Sequence, residues 1–494
     1  MTGDETGVVV PAAPSGRRSS ADLGRAVIAD ALRGVDPVAA LGAERESSWH
    51  SDYLVHFRRV LLAGLASGQA AVTVADDGLQ SVQRRMKYRG SDGAERALDE
   101  MFDGSEASLS TVEIHGSGEP EAGFSLPYRG ARLSGDALSR RLESWTEAGV
   151  LERSAAERVR TVMAHPEWLR LNGQTVVVLG AGAEMGPLPA LLRWGARVAA
   201  IDLPSPEVWR RVLSIARDRA GTLLVPLAKD RVGGGADADT AAAHAGLDLL
   251  TDAGAAAEWI HELDGRVVLG NYVYADGVTN LRLSASVDTL TCYLQAVRPD
   301  LALAFLATPT DVFAVPADAS AHALRAYDNR STLARILARP LQIVSAGRLL
   351  RRQYPPGVHP AIHDALVPQQ GPNYALAKRL QRWRATVARH AGSTVSMNIA
   401  PPTRTRSVLK NRALAAAYAG AHFFAIEVFE PATANTLMAA LLVADLNTGG
   451  GPAHEHPWQD EAYSAVHGGL WRAPYQPRSV LGLAAVLGFG AARG

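Results

Sequence analysis

Continuous apolar runs that alternate with helical segments dominate the sequence from Leu171 onward, and they constrain its fold most. The run Val176–Leu179 is followed by a glycine-rich turn, a helix through "LPALLRWG" and a second run, "RVAAI", that ends at Asp202. Strands buried on both faces of a parallel sheet have this composition. Further runs follow at "TLLVPL", "RVVLGNYVY", "LALAFLA", "LQIVSA" and "STVSMNIA". The alternation predicts an α/β fold with a doubly wound parallel sheet and helices on both of its faces.

The first third of the chain lacks this alternation, so we expect it to form a separate unit. A chain of 494 residues is long for a single domain. Residues 1–22 are expected to be a flexible tail. Residues 23–170 combine helical patterns with a hairpin predicted in "TVEIHGSGEPEAGFSLPYRG", which indicates an additional N-terminal α+β domain of unknown role. Residues 171–494 would form the sheet domain.

Charge and cysteine content limit the classes of partner and compartment. The 50 basic and 50 acidic residues balance, which argues against a nucleic-acid-binding protein and against electrostatic attachment to membranes. The single cysteine, Cys292, cannot form an internal disulfide, which favours a cytoplasmic location. No run approaches the ~20 apolar residues of a membrane helix. The apolar C-terminal stretch "SVLGLAAVLGFGAARG" is expected to be a docked helix; an interfacial anchor and a wall of an apolar pocket are the alternatives.

The glycine-rich turn has the composition of a dinucleotide-binding site. Gly180, Gly182 and Gly186 follow the first strand, and glycine lets the backbone approach a pyrophosphate closely. Asp202, at the end of the second strand, could accept hydrogen bonds from the adenosine ribose and would repel a 2′-phosphate. Because no arginine or lysine lies within the turn, NAD(H) is favoured over NADP(H). A turn that serves S-adenosylmethionine, or no ligand, is the alternative.

Tyr374 and Lys378 form the most informative pair of polar residues. They lie at the start of a predicted helix, "YALAKRLQRWRATVARH", with Asn373 as its expected cap. The two share a helix face roughly opposite the apolar stripe formed by Leu376, Leu380, Trp383 and Val387. An ammonium group one turn away would lower the pKa of the phenol, which could then exchange a proton with a carbonyl or alcohol oxygen. A surface tyrosine beside an unrelated lysine is the alternative.

Residues 174–405 resemble a divergent short-chain dehydrogenase/reductase of the Rossmann-fold NAD(P)-binding superfamily. Gly182 and Gly186 match the first two glycines of that family's turn, and Tyr374 and Lys378 match its Tyr-x-x-x-Lys motif. The chain departs from the family pattern at Leu188, where a third glycine is usual. It departs again at Pro402, where a glycine is usual in the turn after the strand that follows the tyrosine helix.

The resemblance implies a role for each matching residue. Tyr374 would be the catalytic acid or base, Lys378 would hold the nicotinamide ribose, and Ser345, at the end of the strand before the tyrosine helix, would polarise the substrate oxygen. Asn329 would be the family's helix asparagine. The long separation of Ser345 from Tyr374 requires an insertion at about 347–371. The implied cofactor-binding residues are Gly180, Gly182, Glu184, Met185, Gly186, Asp202, Lys378 and Thr405.

The implied activity is NAD(P)-dependent interconversion of a ketone and a secondary alcohol, as in a ketoreductase. The insertion and the apolar C-terminus suggest a bulky apolar substrate, such as a polyketide or fatty-acyl intermediate. The alternatives are a redox-neutral isomerase or cyclase of this fold, and a non-catalytic nucleotide-binding partner protein. Whether the chain forms a homo-oligomer is left open. The histidine pairs His359/His363 and His454/His456 lack a defined ligand arrangement, so no metal is expected; a lid carrying a histidine that faces the substrate is favoured for the first pair.

Overall fold

The computed structural model of the protein describes residues 6–12, 15–103, 109–229 and 238–489. Its strands are β1 (Gly7–Val9), β2 (Lys87–Arg89), β3 (Glu95–Arg96), β4 (Leu109–His115), β5 (Leu126–Tyr128), β6 (Ala131–Leu133), β7 (Gln174–Leu179), β8 (Arg197–Ile201), β9 (Thr222–Ala228), β10 (Arg266–Asn271), β11 (Ala302–Ala307), β12 (Val312–Val315), β13 (Ala361–Asp364) and β14 (Val395–Ile399).

The helices are α1 (Ser20–Arg33), α2 (Pro37–Glu44), α3 (Trp49–Gly64), α4 (Gly68–Arg85), α5 (Gly135–Glu147), α6 (Arg153–Ala164), α7 (Leu188–Trp194), α8 (Pro206–Arg217), α9 (Ala238–His244), α10 (Ala253–His261), α11 (Gly277–Val297), α12 (Ala317–Asp328), α13 (Thr332–Val344), α14 (Pro372–His390), α15 (Arg406–Lys410), α16 (Arg412–Gly420), α17 (Pro431–Asn447), α18 (Pro457–Tyr463) and α19 (Pro477–Gly488).

A seven-stranded sheet with the order β14-β11-β10-β7-β8-β9-β4 forms the centre of the fold. The first six of these strands are parallel, and β4 pairs with β9 in the antiparallel direction. Among the six parallel strands, the chain passes first through β7, moves outward through β8 and β9, and then crosses to β10 on the other side of β7. This reversal creates a crevice beyond the carboxyl ends of β7 and β10, where ligands bind in open α/β sheets. The predicted α/β class is confirmed, and the strand order is compatible with a Rossmann-like fold.

The central strands are apolar throughout because both of their faces are covered. Val176 and Val178 of β7 belong to one hydrophobic cluster, with the helices α6, α7 and α17. Val177 and Leu179 point to the opposite face and belong to a second cluster, with α10 and α11. Alternation of side chains across the strand thus requires apolar residues at every position.

Two predicted strand features are wrong. The run "LQIVSA" is not a strand: its first four residues end α13, where Ile343 is 78% exposed. A short apolar run does not by itself distinguish a strand from a helix. The hairpin predicted around residues 111–130 is also absent, because β4 pairs with β9 instead. The hairpin in this region joins β5 to β6 through Arg129 and Gly130, both of which have positive φ.

The N-terminal region does not have a core of its own, so the additional N-terminal domain is not confirmed. Val27, Phe57 and Leu79 lie in one cluster with residues of α11 and α14. Strand β4 belongs to the main sheet, and α6 packs on α17. The predicted boundary at 170/171 therefore does not divide the hydrophobic core.

The predicted flexible tail, residues 1–22, contains ordered structure. Strand β1 pairs with β2, and the Val8 N–H donates to the Leu250 carbonyl oxygen at 3.0 Å. Helix α1 begins at Ser20, capped by the Ser19 hydroxyl. Residues 1–5 and 13–14 lie outside the described residues.

The C-terminal apolar stretch forms helix α19, which packs against α16 as the docked-helix prediction requires. The two helices approach so closely that a Cβ atom at Gly420 would lie 2.0 Å from the Ala484 carbonyl oxygen. Residues 490–494 lie outside the described part of the chain. Within the described ranges, no helix has the length and apolar character needed to cross a membrane.

Candidate active site

Helix α14 lies between the sheet and the N-terminal helices. Leu376, Leu380 and Trp383 pack into the cluster formed with α1, α3 and α4. Ala385 and Ala388, on the other side of the helix, pack against the sheet. Tyr374 and Lys378 precede these alanines at helical spacing, so they lie at the N-terminal end of the sheet-facing stripe. The pair does share a face away from the Leu376 stripe, but that face is turned toward the sheet.

The start of α14 differs in detail from the prediction. Gly371, with φ 78° and ψ 153°, is the N-cap, and Pro372 is the first helical residue. Asn373 is therefore not the cap. Proline is well suited to this first position because its missing N–H would have no partner within the helix.

The Tyr374 phenol lies beside the carboxyl end of β11. Thr308, directly after this strand, interacts with the phenol and favours its ionised form. Tyr274, which follows β10, contacts the Tyr374 ring edge-on, with 6.3 Å between the ring centroids. Burial raises the pKa of Tyr374, and the hydrogen bond with Thr308 opposes this only in part. The expectation of a lowered phenol pKa is thus wrong, and the phenol stays protonated at neutral pH.

Lys378 is tied to the sheet through two amide side chains. Its Nζ donates to Gln381 Oε1 at 3.0 Å, and Gln381 Nε2 donates to Asn271 Oδ1 at 3.2 Å. Asn271 is the last residue of β10, and both amides are buried. Burial lowers the pKa of Lys378 to about 8. The spacing of Gln381 on α14 could have revealed this contact, but the pairing with Asn271 depends on helix–sheet packing.

Ser345 and Asn329 do not occupy the positions that the resemblance implies. Ser345 lies in the turn after α13, where its hydroxyl donates to the Gln342 carbonyl oxygen and accepts from the Leu349 N–H. Asn329 is the C-cap of α12. Neither residue ends a strand of the sheet or belongs to the helix between β10 and β11.

Thr308 takes the position that was expected of Ser345. The sequence contains a signal for it, since two threonines, Thr308 and Thr310, directly follow the correctly predicted strand "LALAFLA". Their hydroxyl oxygens are 2.9 Å apart, and Gln370 Nε2 donates to Thr310 Oγ1 at 2.9 Å. Because "LQIVSA" was predicted to be the strand before the tyrosine helix, the two threonines were not predicted to belong to the site.

The glycine turn is held against the end of β8. Gly180, with φ 84°, donates its N–H to the Ile201 carbonyl oxygen at 2.8 Å. The Gly182 N–H donates to Asp202 Oδ2 at 2.7 Å. A Cβ atom at Gly182 would lie 2.8 Å from Arg211 Nη2, so a larger residue would displace its neighbours. The turn and Asp202 are therefore in register, as predicted.

Arg211 is a residue of the turn region that the sequence analysis missed. It lies on α8, and its Nη2 donates to the Gly182 carbonyl oxygen at 2.9 Å. The turn itself contains no cation, but helix packing brings this guanidinium to Gly182, whose N–H is bonded to Asp202. No local pattern in the sequence identifies that contact.

Glu184 links the glycine turn to the loop that follows β14. Its carboxylate accepts hydrogen bonds from Arg406 N at 2.8 Å and from Arg406 Nε at 3.0 Å. Thr405 is the N-cap residue of α15, next to this contact. The fold thus brings Thr405 close to the glycine turn across the crevice.

The other predicted residues of the turn have mainly packing roles. Met185 is partly buried against the core, and the Gly186 N–H donates to the Ala183 carbonyl oxygen at 3.1 Å. Leu188, at the third-glycine position, is fully buried at the start of α7.

A cavity of about 460 Å³ lies between the loop after β10 and helix α15. It is lined by Tyr274, Asp276, Ser407, Lys410 and Asn411. Its size is within the range of small-molecule sites. Tyr274 lines the cavity and also contacts the Tyr374 ring.

A lid with a histidine that faces the substrate was predicted for the pair His359/His363, but His363 does not have that position. It lies on β13, is 1% exposed, and its ring is 6.4 Å from that of Trp471. Among the described residues, no group of three or more His, Cys, Asp or Glu could hold a metal ion.

The glycine turn retains donors that fit the phosphates of a dinucleotide. In the described structure, the N–H groups of Glu184 and Met185 make no hydrogen bond to another backbone group. Asp202 Oδ2 lies next to Gly182, where a ribose hydroxyl could replace the backbone donor. The residues present therefore fit the cofactor that the resemblance implies.

Comparisons with known proteins do not assign a family. No protein-family model matches the chain, and no curated protein matches it. Among solved structures, it is similar to a thiolation-reductase di-domain from an archaeal non-ribosomal peptide synthetase, with 11% identity and a TM-score of 0.27. The match covers 52% of this chain and 51% of that protein, so the chain spans about half the length of its structural neighbour. With so low a TM-score, we base no inference on it.

Proposed function

We propose that the protein is an NAD(P)-dependent oxidoreductase that interconverts a carbonyl group and an alcohol, with Tyr374 as the catalytic acid or base. The observation that supports this most is the position of the Tyr374 phenol beside Thr308, at the carboxyl edge of the sheet. The glycine turn and Asp202 lie at the same edge. Proton transfer and cofactor binding would thus use one crevice.

Tyr374 would donate its proton to the substrate oxygen during reduction and recover it in the reverse direction. The raised pKa of the phenol keeps the proton in place at neutral pH until the oxygen becomes basic. Thr308 would donate a second hydrogen bond to the same oxygen, and Thr310 would orient the Thr308 hydroxyl. When bound, a nicotinamide would supply or accept the hydride.

Lys378 would stabilise the phenolate that remains on Tyr374 after proton transfer. Gln381 and Asn271 act through Lys378 and are positioning residues, because they hold its ammonium group from the sheet side. Because Gln381 is neutral, it does not compensate the positive charge of Lys378, which can then stabilise the phenolate.

Asp202 and the glycine turn would hold the adenosine part of the cofactor, with NAD(H) favoured over NADP(H). The Asp202 carboxylate would repel a 2′-phosphate, whereas Arg211 is close enough to attract one. Asp202→Asn should therefore bind NADPH more tightly than the wild type does. Adding Arg211→Ser to this variant should remove that gain.

Fluorescence titration of the purified protein with NADH and NADPH tests the proposal first. We expect NADH to bind and a panel of carbonyl compounds to be reduced. Tyr374→Phe should keep NADH binding and lose turnover by about 10²–10⁴-fold. Tyr88→Phe, on strand β2, is the matched control and should keep both. Failure of the wild type to bind either nucleotide would overturn the proposal.

A redox-neutral reaction at Tyr374 and Lys378 is the second candidate. The N–H groups of Gly180, Gly182 and Gly186 already donate to oxygen atoms within the protein. Fewer donors are therefore left for phosphates, which favours this candidate. Turnover of a substrate without any nucleotide, sensitive to Tyr374→Phe, would support it over the dehydrogenase.

A further inference from the structure

Helix α13 presents an apolar face to the outside of the molecule. Among its described side chains, Ala338 is buried and packs with Leu350 and Phe424 in a small cluster. Ile336 lies about 200° around the helix from Ala338, and Ile343 lies about 20° from Ile336. Ile336, Ile343 and Val344 are 57%, 78% and 88% exposed. These three residues, together with Pro340 between them, form an outer stripe directed away from the protein body.

The segment that contains α13 is locally basic, although one of its arginines, Arg352, is paired with Asp328. From Asn329 to Gln353 the sequence has six arginines and no Asp, Glu or Lys, although the whole chain has no net charge. Arg335 and Arg339 lie on one side of the stripe. Within the described part of the chain, no carboxylate lies within ion-pair distance of Arg339, Arg348 or Arg351, all of which are exposed.

We propose that the outer stripe of α13 and its flanking arginines form a docking surface for an anionic lipid bilayer. Exposed aliphatic residues would enter the headgroup region, and the arginine side chains would extend to the acidic headgroups. Exposed aliphatic residues beside arginines are typical of helices that lie at a bilayer surface, which favours a bilayer over a protein partner. Charge balance over the whole chain had argued against such attachment, but the basic residues of this segment are concentrated locally.

Flotation of the full chain with vesicles tests this surface independently of any enzymatic activity. We expect binding to vesicles of phosphatidylcholine with phosphatidylserine, weakened by salt, and little binding to phosphatidylcholine alone. Each of the single substitutions Arg339→Ser, Arg348→Ser and Arg351→Ser should weaken vesicle binding about fivefold. The double variant Ile343→Asp with Val344→Asp should lose binding by more than about tenfold.

Val38→Asp and Arg45→Ser are the matched controls, since they alter an exposed valine and an exposed arginine on and just after α2. Both should bind vesicles like the wild type. Absence of wild-type binding to phosphatidylserine vesicles, or equal losses in these controls, would overturn the proposal.

A fluorophore at position 343 distinguishes binding to a bilayer from binding to another partner. Ile343→Cys can be labelled selectively, because burial raises the pKa of the native Cys292 thiol to about 11. We expect a blue shift with phosphatidylserine vesicles. A shift on concentrating the protein without vesicles would indicate a second copy, and a shift with polyglutamate alone would indicate an acidic protein partner. Either result would contradict the bilayer proposal.

Discussion

At the residue scale, the ammonium group of Lys378 has a neutral hydrogen-bond partner in a desolvated position. Its Nζ donates to Gln381 Oε1, and burial lowers its pKa to about 8 from the ordinary value of 10.5. The folded protein therefore holds this proton less tightly than the unfolded chain does.

This difference predicts a pH-dependent contribution to stability. Between about pH 8 and pH 10.5 the unfolded state binds more protons at Lys378, so the free energy of unfolding contributed by this residue rises with pH. Relative to Lys378→Met, the wild type should gain stability across this window. Urea denaturation at several pH values measures it. Lys410→Met, which removes an exposed lysine, is the control.

Gln381 provides a second prediction at this scale. Gln381→Glu places a carboxylate next to Lys378, which should raise the pKa of the ammonium group. If Lys378 must be charged for turnover, the alkaline limb of the pH–rate profile should move to higher pH. Gln381→Leu should lower kcat without that movement. An alkaline limb unchanged in Gln381→Glu would argue against the positioning role.

At the scale of elements, the position of α14 depends on close contact with α4. A Cβ atom at Gly78 of α4 would lie 2.3 Å from the Trp383 ring of α14. Trp383 lies on the face of α14 that packs against the N-terminal helices, away from Tyr374. Gly78 thus sets the distance between the two helices, and through α14 it affects the site.

Gly78→Ala should therefore lower the free energy of unfolding by about 1–3 kcal/mol, because the added methyl group displaces Trp383. Gly482→Ala in α19 is the matched control, since no heavy atom lies within 4 Å of the added Cβ. It should be neutral or stabilising by up to about 1 kcal/mol from helix propensity. Urea denaturation of both variants tests the contact, and equal stability of the two would show that it is wrong.

At the scale of the whole molecule, the N-terminal helices are an outer layer of the core. Leu281, Leu376 and Trp383 are buried against residues of α1, α3 and α4. Strand β4 also completes the edge of the main sheet at β9. The helices and the sheet are consequently expected to fold as one cooperative unit.

Expression of residues 171–494 alone tests this expectation. The fragment would expose the apolar face of α14 and leave β9 as an unpaired edge, so it should aggregate or lose its cooperative thermal transition. Co-expression with residues 1–170 should restore soluble protein. A stable, cooperatively folding fragment with the Tm of the full chain would instead support the predicted domain boundary.

Local pattern is sufficient to predict the six parallel strands of the main sheet and part of the site. Runs such as Val176–Leu179 predict buried parallel strands because both faces need apolar residues. The spacing of Tyr374 and Lys378 predicts a shared helix face by geometry alone. The glycine turn and Asp202 were predictable together because each directly follows one of two neighbouring strands.

Only the tertiary structure decided which residues meet at the site. Thr308, rather than Ser345, lies beside Tyr374 because β11 and not "LQIVSA" is the strand next to α14. Arg211 reaches Gly182 through the packing of α8. Sequence by itself determined what each segment must bury, since burial follows from local periodicity. Contacts between distant segments depend on how the helices pack on the sheet, and no local pattern records that packing.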